Sequence, residues 1–265
     1  MEAIDIRDLS FSYGKEPFIQ DFSVSFQKGA VTSIVGPNGC GKSTLVKLID
    51  GLCRPTQGCV LIGETPTLEM NSRQRARQIA VLAQSRKAPP MTVGDLVACG
   101  RNPYVGYGGK LGPQDREEVD RALQLTGIER FRDHDLRHLS GGERQRAFFA
   151  MTLAQDTDII VLDEPTTYLD VKACHELMVL VRDLNRSMGK TIVMVIHDID
   201  LALRYSDRVM VMQNGASLYC GPVQDARAVH AIEGAFDVAI RDFECEFGTS
   251  FALFPVAAEH VGDSA

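Results

Sequence analysis

The stretch GPNGCGKST at 36–44 follows the pattern Gly-x-x-x-x-Gly-Lys-Ser, with Gly36, Gly41, Lys42 and Ser43 at its fixed places. Glycines let successive backbone N–H groups turn inward around an anion, and a helix starting at Lys42 aims its positive end at the same point. The loop formed by Gly36, Pro37, Asn38, Gly39, Cys40, Gly41, Lys42, Ser43 and Thr44 is therefore expected to cradle nucleotide phosphates. The Lys42 ammonium then reaches the β- and γ-phosphates, and the Ser43 hydroxyl completes a Mg²⁺ shell. A second chemical group ends IIVLDE at 159–164, where Asp163 and Glu164 stand at the carboxyl end of a strand. Ligands bind at that edge in open α/β sheets. One carboxylate there can hold Mg²⁺ through water and the other can polarise an attacking water. Taken alone, the pair would serve equally well to end a strand before Pro165. A third candidate is LSGGERQR at 139–146, a second glycine turn before a charged helix start.

The elements that must position these groups are legible in the periodicity. Phe22, Val24 and Phe26 alternate with polar residues, and AVTSIV at 30–35 is a compact β-rich run. The pattern predicts antiparallel strands feeding one buried strand, then the glycine turn, then a helix with Leu45, Leu48 and Ile49 on one face. Strand, loop and helix in that order open an α/β sheet. The order recurs as IIVLDE, an amphipathic stretch from Val171 to Met188, and TIVMVIH at 191–197. Continuous apolar runs of this kind fit parallel strands covered on both faces. Between the halves, about 87–154, helical spacing dominates, with Val119, Leu123 and Leu125 as its apolar positions. That segment reads as a helical insertion entered through Pro89-Pro90 and the Gly/Pro-rich loop at 102–113. After Gly221-Pro222 a helix around 224–235 and a strand around 250–254 are expected.

The chain has 265 residues, of which 45% are hydrophobic and 24% charged, an ordinary globular balance. Its 28 basic against 35 acidic residues leave a net charge of −7, which argues against a nucleic-acid binder held by a basic surface. No apolar run approaches the roughly 18 residues that cross a bilayer. The acidic start MEAIDIRD lacks the apolar core of a signal peptide. The seven cysteines form no CxxC pair and read as buried thiols of a reducing compartment.

Leu139-Ser140-Gly141-Gly142-Glu143 resembles the signature sequence of the ABC-transporter ATPases. The resemblance covers about residues 2 to 222 and implies an α/β fold: a P-loop NTPase core with an N-terminal antiparallel β subdomain and the inserted helical subdomain. The remainder, 223–265, is a short extension. By this likeness Tyr13, in FSYGKEPF, matches the aromatic that stacks on adenine, and Gln84, in VLAQ, the glutamine beside Mg²⁺ and the γ-phosphate. Asp170, in TTYLD, matches the D-loop, and His197, in MVIHD, the histidine that touches the γ-phosphate. Alone, Tyr13 would be an ordinary strand tyrosine and His197 a structural histidine. The resemblance makes Glu164 the general base, Asp163 the water-mediated metal ligand, and Lys42 and Ser43 the phosphate and metal anchors. It also assigns Ser140, Gly141 and Gly142 to ATP bound by a second copy. One set of motifs per chain then implies a head-to-tail homodimer.

Three stretches, MTVGDLVACGRNPY (91–104), ERQRAFFAMTLAQDTDIIVLDEPTTYLD (143–170) and MVIHDIDLALRYSDRVMVMQNG (194–215), resemble the ATPases of ferric-siderophore, haem and cobalamin importers. This implies ATP and Mg²⁺ as ligands, integral membrane permeases and indirectly a substrate-binding protein as partners, no nucleic acid, and a peripheral place on the cytoplasmic face of the membrane. Ferric siderophore is the leading cargo, with haem, cobalamin, another metal complex, or a soluble role in iron–sulfur cluster assembly as alternatives. The segment from Gln84 to about Gly112 is expected to dock on the permease through an exposed Arg101, Tyr104 and Tyr107.

Overall fold

A computed structural model describes residues 1–14, 16–84, 88–106, 109–246 and 248–256. Strands β1 (Glu2–Phe11) and β2 (Ile19–Gln27) form an antiparallel ribbon. Strand β3 (Val31–Val35) and helix α1 (Lys42–Ile49) follow, and then β4 (Gln57–Ile62) and β5 (Thr65–Pro66) complete a four-stranded sheet ordered β2-β1-β4-β5. The one-turn helix α2 (Ser72–Arg75) leads into β6 (Ile79–Leu82). Next come three helices without an intervening strand: α3 (Val93–Cys99), α4 (Pro113–Leu125) and α5 (Gly141–Ala154). The chain then alternates through β7 (Ile159–Asp163), α6 (Val171–Met188), β8 (Thr191–Val195), α7 (Ile199–Tyr205) and β9 (Arg208–Gln213). It closes with β10 (Ala216–Pro222), α8 (Ala226–Phe236) and the hairpin β11 (Val238–Cys245) and β12 (Gly248–Pro255). The expected terminal strand is thus one arm of a hairpin, and β11 was not anticipated.

The second sheet runs β10-β9-β3-β8-β7-β6, with β10 alone antiparallel. Its central strands are buried along their whole length because both faces are covered. Along β7 the faces alternate: Ile160 and Leu162 pack with the helices α3–α8, whereas Ile159 and Val161 pack toward α1 and the antiparallel sheet. The same period-2 rule puts Asp163 on the α1 side. Each such aliphatic side chain contributes about 1.5–3 kcal/mol of burial. No described helix is long and apolar enough to cross a membrane.

Three expectations change. Leu125 is exposed, and Ala122 takes the place on the inner face of α4 beside Val119 and Leu123. Of the six cysteines whose side chains are described, all free, only Cys40 is buried and the others are half-buried. Arg101 is not an exposed cation. It is only 5% accessible, and its guanidinium donates to the Asp115 carboxylate (3.0 Å) and the Ala154 carbonyl (2.8 Å). The half-buried Tyr104 ring lies between Arg101 (4.0 Å to the centroid) and Arg77 (5.2 Å), and Arg77 Nε donates to the Pro103 carbonyl. This turn joins the insertion to the β-rich part of the chain. Tyr107 lies outside the described residues.

Candidate nucleotide site

The loop from Gly36 to Gly41 joins the end of β3 to the start of α1, and its glycines are required by space. A Cβ at Gly36 would lie 2.1 Å from the Met212 carbonyl oxygen, so the loop can pass β9 only without a side chain. Gly39 and Gly41 have φ of +80° and +112°, a region L side chains avoid. No side chain caps the N-terminus of α1, which leaves its first N–H groups for an anion. Lys42 is buried, and its Nζ donates to the carbonyls of Gly36 (2.6 Å) and Pro37 (2.9 Å), spanning the loop from inside. Burial pushes the Cys40 thiol pKa up, although the Lys42 charge opposes it. Tyr13 lies beyond the end of β1 rather than in a strand, 63% exposed, with its ring edge-on to Phe11. Its hydroxyl is 3.0 Å from Thr44 Oγ1, so the ring stands beside the loop.

Across from α1, the Ser43 hydroxyl donates to Asp163 Oδ1 at 3.2 Å. Burial raises the Asp163 pKa, and the Ser43 hydrogen bond lowers it only in part. Glu164 follows with φ of +52°, its N–H donating to the Val195 carbonyl at 3.1 Å. That left-handed turn takes Glu164 out of the strand alternation. Its Oε1 is 2.7 Å from His197 Nε2, and Thr167 Oγ1 donates to Oε2 at 3.2 Å. Burial raises the Glu164 carboxyl pKa, but hydrogen bonds from His197, Gln84 and Thr167 outweigh it and hold the group below its ordinary value of 4.5. Gln84, His197, Glu164, Asp163 and Ser43 thus form one continuous cluster, assembled from the ends of β6, β8 and β7 and the start of α1. Thr167 is a member that sequence reasoning missed, because nothing in its spacing marks it.

The signature turn lies elsewhere in the chain. Ser140 caps α5, with its Oγ donating to Glu143 Oε2 (2.7 Å) and accepting from the Glu143 N–H (3.3 Å). A Cβ on Gly141 or Gly142 would meet Tyr168 and Leu169 at ordinary contact distance, 3.6 and 3.5 Å. Asp170 caps α6 by accepting from the Ala173 N–H at 2.8 Å. Among the described residues, no hydrogen bond or ion pair joins this turn to the phosphate loop of the same chain.

The family model described as ABC transporter matches residues 19–167. The chain belongs to that family. This ABC cassette is an ATP-binding, ATP-hydrolysing enzyme, and its mixed sheet and P-loop core carry the ABC ATPase fold. It is 44% identical to the Petrobactin import ATP-binding protein FpuD of Bacillus anthracis, over 80% of this chain and 78% of the other. It is 42% identical to the Probable siderophore transport system ATP-binding protein YusV of Bacillus subtilis, over 81% and 78%. Its fold superposes on the dimeric structure of a bacterial ABC transporter cassette with a TM-score of 0.75 at 30% identity, covering 83% of this chain and 99% of that one.

The cassette's residues also fit a divalent ion beside the nucleotide. No cluster of three His, Cys, Asp or Glu exists among the described residues, whereas one buried carboxylate and one hydroxyl converge at Asp163 and Ser43. Mg²⁺ in nucleotide sites is held in that sparse manner, with phosphate and water filling the remaining positions.

Proposed function

We propose that this cassette is the ATP-hydrolysing subunit of an importer, that two copies bind two ATP head to tail, and that ferric siderophore is the cargo. The observation that carries the enzymatic reading is the held carboxylate of Glu164, 2.7 Å from His197, next to the Ser43–Asp163 pair. Lys42 and the N-terminus of α1 bind the β- and γ-phosphates, and Tyr13 stacks on the base. Ser43, Gln84 and Asp163 would hold Mg²⁺, which would supply neutralisation of the phosphate charge. Glu164, ionised because its partners keep its pKa low, accepts the proton of the attacking water on its carboxylate. His197 orients that carboxylate and meets the γ-phosphate, and Gln84 spans the two.

The homodimer reading is supported by the separation of the signature turn from its own phosphate loop. It is supported also by the exposed Tyr168 (85%) and Val171 (76%) on either side of Asp170, apolar surface that a second copy would cover. Residues 1–222 form the ABC unit in this reading, with 87–154 as its helical subdomain and 223–265 as an extension, of which β12 packs on α7 and α8 on β9 and β10. A permease would dock near the segment after Gln84 and keep the cassette on the cytoplasmic face of the membrane. The siderophore cargo rests on likeness to FpuD and YusV.

The test is uptake by vesicles holding the cassette with a candidate permease and binding protein. ATP-dependent accumulation of a ferric siderophore, abolished by Glu164→Gln, supports the proposal. Uptake of haem or cobalamin in its place would overturn the cargo, and a cassette that joins an iron–sulfur scaffold and no permease would overturn import.

A further inference from the structure

The signature helix α5 and the turn that holds Glu164 are tied by one side chain. Gln145 Nε2 donates to the Pro165 carbonyl oxygen at 2.9 Å, in a half-buried position. Pro165 directly follows Glu164, and its ring fixes φ, so one fewer soft torsion separates the Pro165 carbonyl from the Glu164 backbone. On the other side the Glu164 N–H is pinned to the Val195 carbonyl of β8, and its side chain is held by Thr167, three residues on. Glu164 keeps its left-handed φ of +52° between these two anchors, a strained conformation that persists only where the surroundings enforce it. Ser140, Gly141 and Gly142 begin the same helix that carries Gln145, and a Cβ on either glycine would come into ordinary contact with Tyr168 or Leu169, which follow Glu164 closely in the chain.

We infer that Gln145 is a positioning residue for hydrolysis, which sets the Glu164 carboxylate according to where the signature turn of its own chain sits. The consequence rests on the two-chain reading above. In that arrangement Ser140 and Gly142 of one chain serve the partner's ATP, while Glu164 of that chain serves its own. A shift of α5 on closing over the partner's nucleotide is passed through the Gln145 amide to Pro165 and so to Glu164. One nucleotide site is thereby told whether the other is occupied, through a physical contact rather than through sequence proximity.

The test uses the full chain with Gln145→Ala and Gln145→Glu. The second keeps the size of the side chain, but its ionised carboxylate cannot donate to a carbonyl. Both variants should bind ATP within twofold of the unaltered chain and melt within a few degrees of it. Both should lose about tenfold in kcat, the scale of one positioning hydrogen bond, and cooperativity in ATP should fall to a Hill coefficient of 1. A merely structural role would lower the melting temperature or ATP affinity instead, and would leave kcat per folded chain unchanged. Glu164→Gln with saturating Mg-ATP, followed by light scattering, separates the two readings. If that chain dimerises while the Gln145 variants keep full kcat and cooperativity, the inference alone is overturned. If it stays monomeric, the two-chain reading fails and takes the intersite coupling with it.

Discussion

His197 Nε2 lies 2.7 Å from Glu164 Oε1, and this contact joins the end of β8 to the residue that follows β7. The two strands are parallel neighbours, with Asp163 paired to Val195, so the sheet register itself sets the histidine beside the acid. His197 is half exposed while Glu164 is only 11% accessible, which leaves one face of the pair open to a ligand.

The pH dependence of hydrolysis follows from that contact. Burial alone would raise the Glu164 pKa; the hydrogen bonds of His197, Gln84 and Thr167 bring it below 4.5. Its stabilising effect is present above the unfolded value and is lost as pH falls through the lower folded one. The acid limb of kcat/KM should therefore lie below pH 4.5. In His197→Ala the main opposing partner is gone and burial dominates, so the limb should move to higher pH and the rate fall by about 10²-fold or more. A limb that stays in place in a folded His197→Ala chain would show that the histidine does not hold the carboxylate.

Lys42→Ala should leave the fold intact and bring ATP hydrolysis to background. The ammonium closes the loop against the Gly36 and Pro37 carbonyls, and it is the one positive side chain buried inside that loop among the described residues. Removing such a charge from a phosphoryl-transfer site typically costs a hundredfold or more in rate. Phosphate release by the purified variant, with circular dichroism as the check on folding, decides the matter; normal turnover would refute the assignment.

Asp50, at the C-terminus of α1, offers a stability test independent of catalysis. Burial raises its pKa from 3.8 to about 6, against the opposing charge of Arg75. A raised carboxylate pKa stabilises the folded state at low pH, and that contribution is lost as pH rises through about 6. Asp50→Asn removes the titration. It should stabilise the chain by at most about 3 kcal/mol at pH 7.5, with the gain shrinking toward zero near pH 4. Urea unfolding at both pH values measures it, and an equal effect at the two would dismiss burial as the cause.

The parts legible in the sequence share one property: their signal is local. The glycine loop needs Gly36 and Gly41 whatever the rest of the chain does, and the runs 159–163 and 191–195 are apolar at every position because two layers cover them. Even the Ser43–Asp163 pair follows from alternation along β7, once α1 is known to lie on the odd-numbered face. Thr167, Gln145 and the second arm of the terminal hairpin were not legible. Thr167 and Gln145 act through contacts that depend on the left-handed turn at Glu164, a backbone state that no residue type announces. Strand β11 carries Arg241, Asp242, Phe243 and Glu244 with Phe243 53% exposed, so its inner face is marked mainly by Ile240. Arg101 misled for a related reason: charge and a nearby Gly/Pro loop suggest a surface, whereas the partners that bury it are 14 and 53 residues away.

Substituting Arg101 should therefore damage the fold before it touches any partner. Its guanidinium satisfies the Ala154 carbonyl at the end of α5, pairs with Asp115 in the first turn of α4, and stacks on Tyr104. The same Asp115 accepts from the Gly112 N–H at 3.0 Å, and its carboxyl pKa is held down by that bond, helped by Arg101. Arg101→Ala strands a buried carbonyl and half of an ion pair, a loss of about 3 kcal/mol, which for a domain of this size lowers Tm by roughly 6–12 °C. Arg101→Lys should recover only part, because an ammonium cannot serve the carboxylate and the carbonyl from one planar fork. Calorimetry of the isolated chain measures both variants. A melting temperature within a degree of the unaltered chain, together with a loss of permease assembly, would return Arg101 to the docking surface and contradict its buried role.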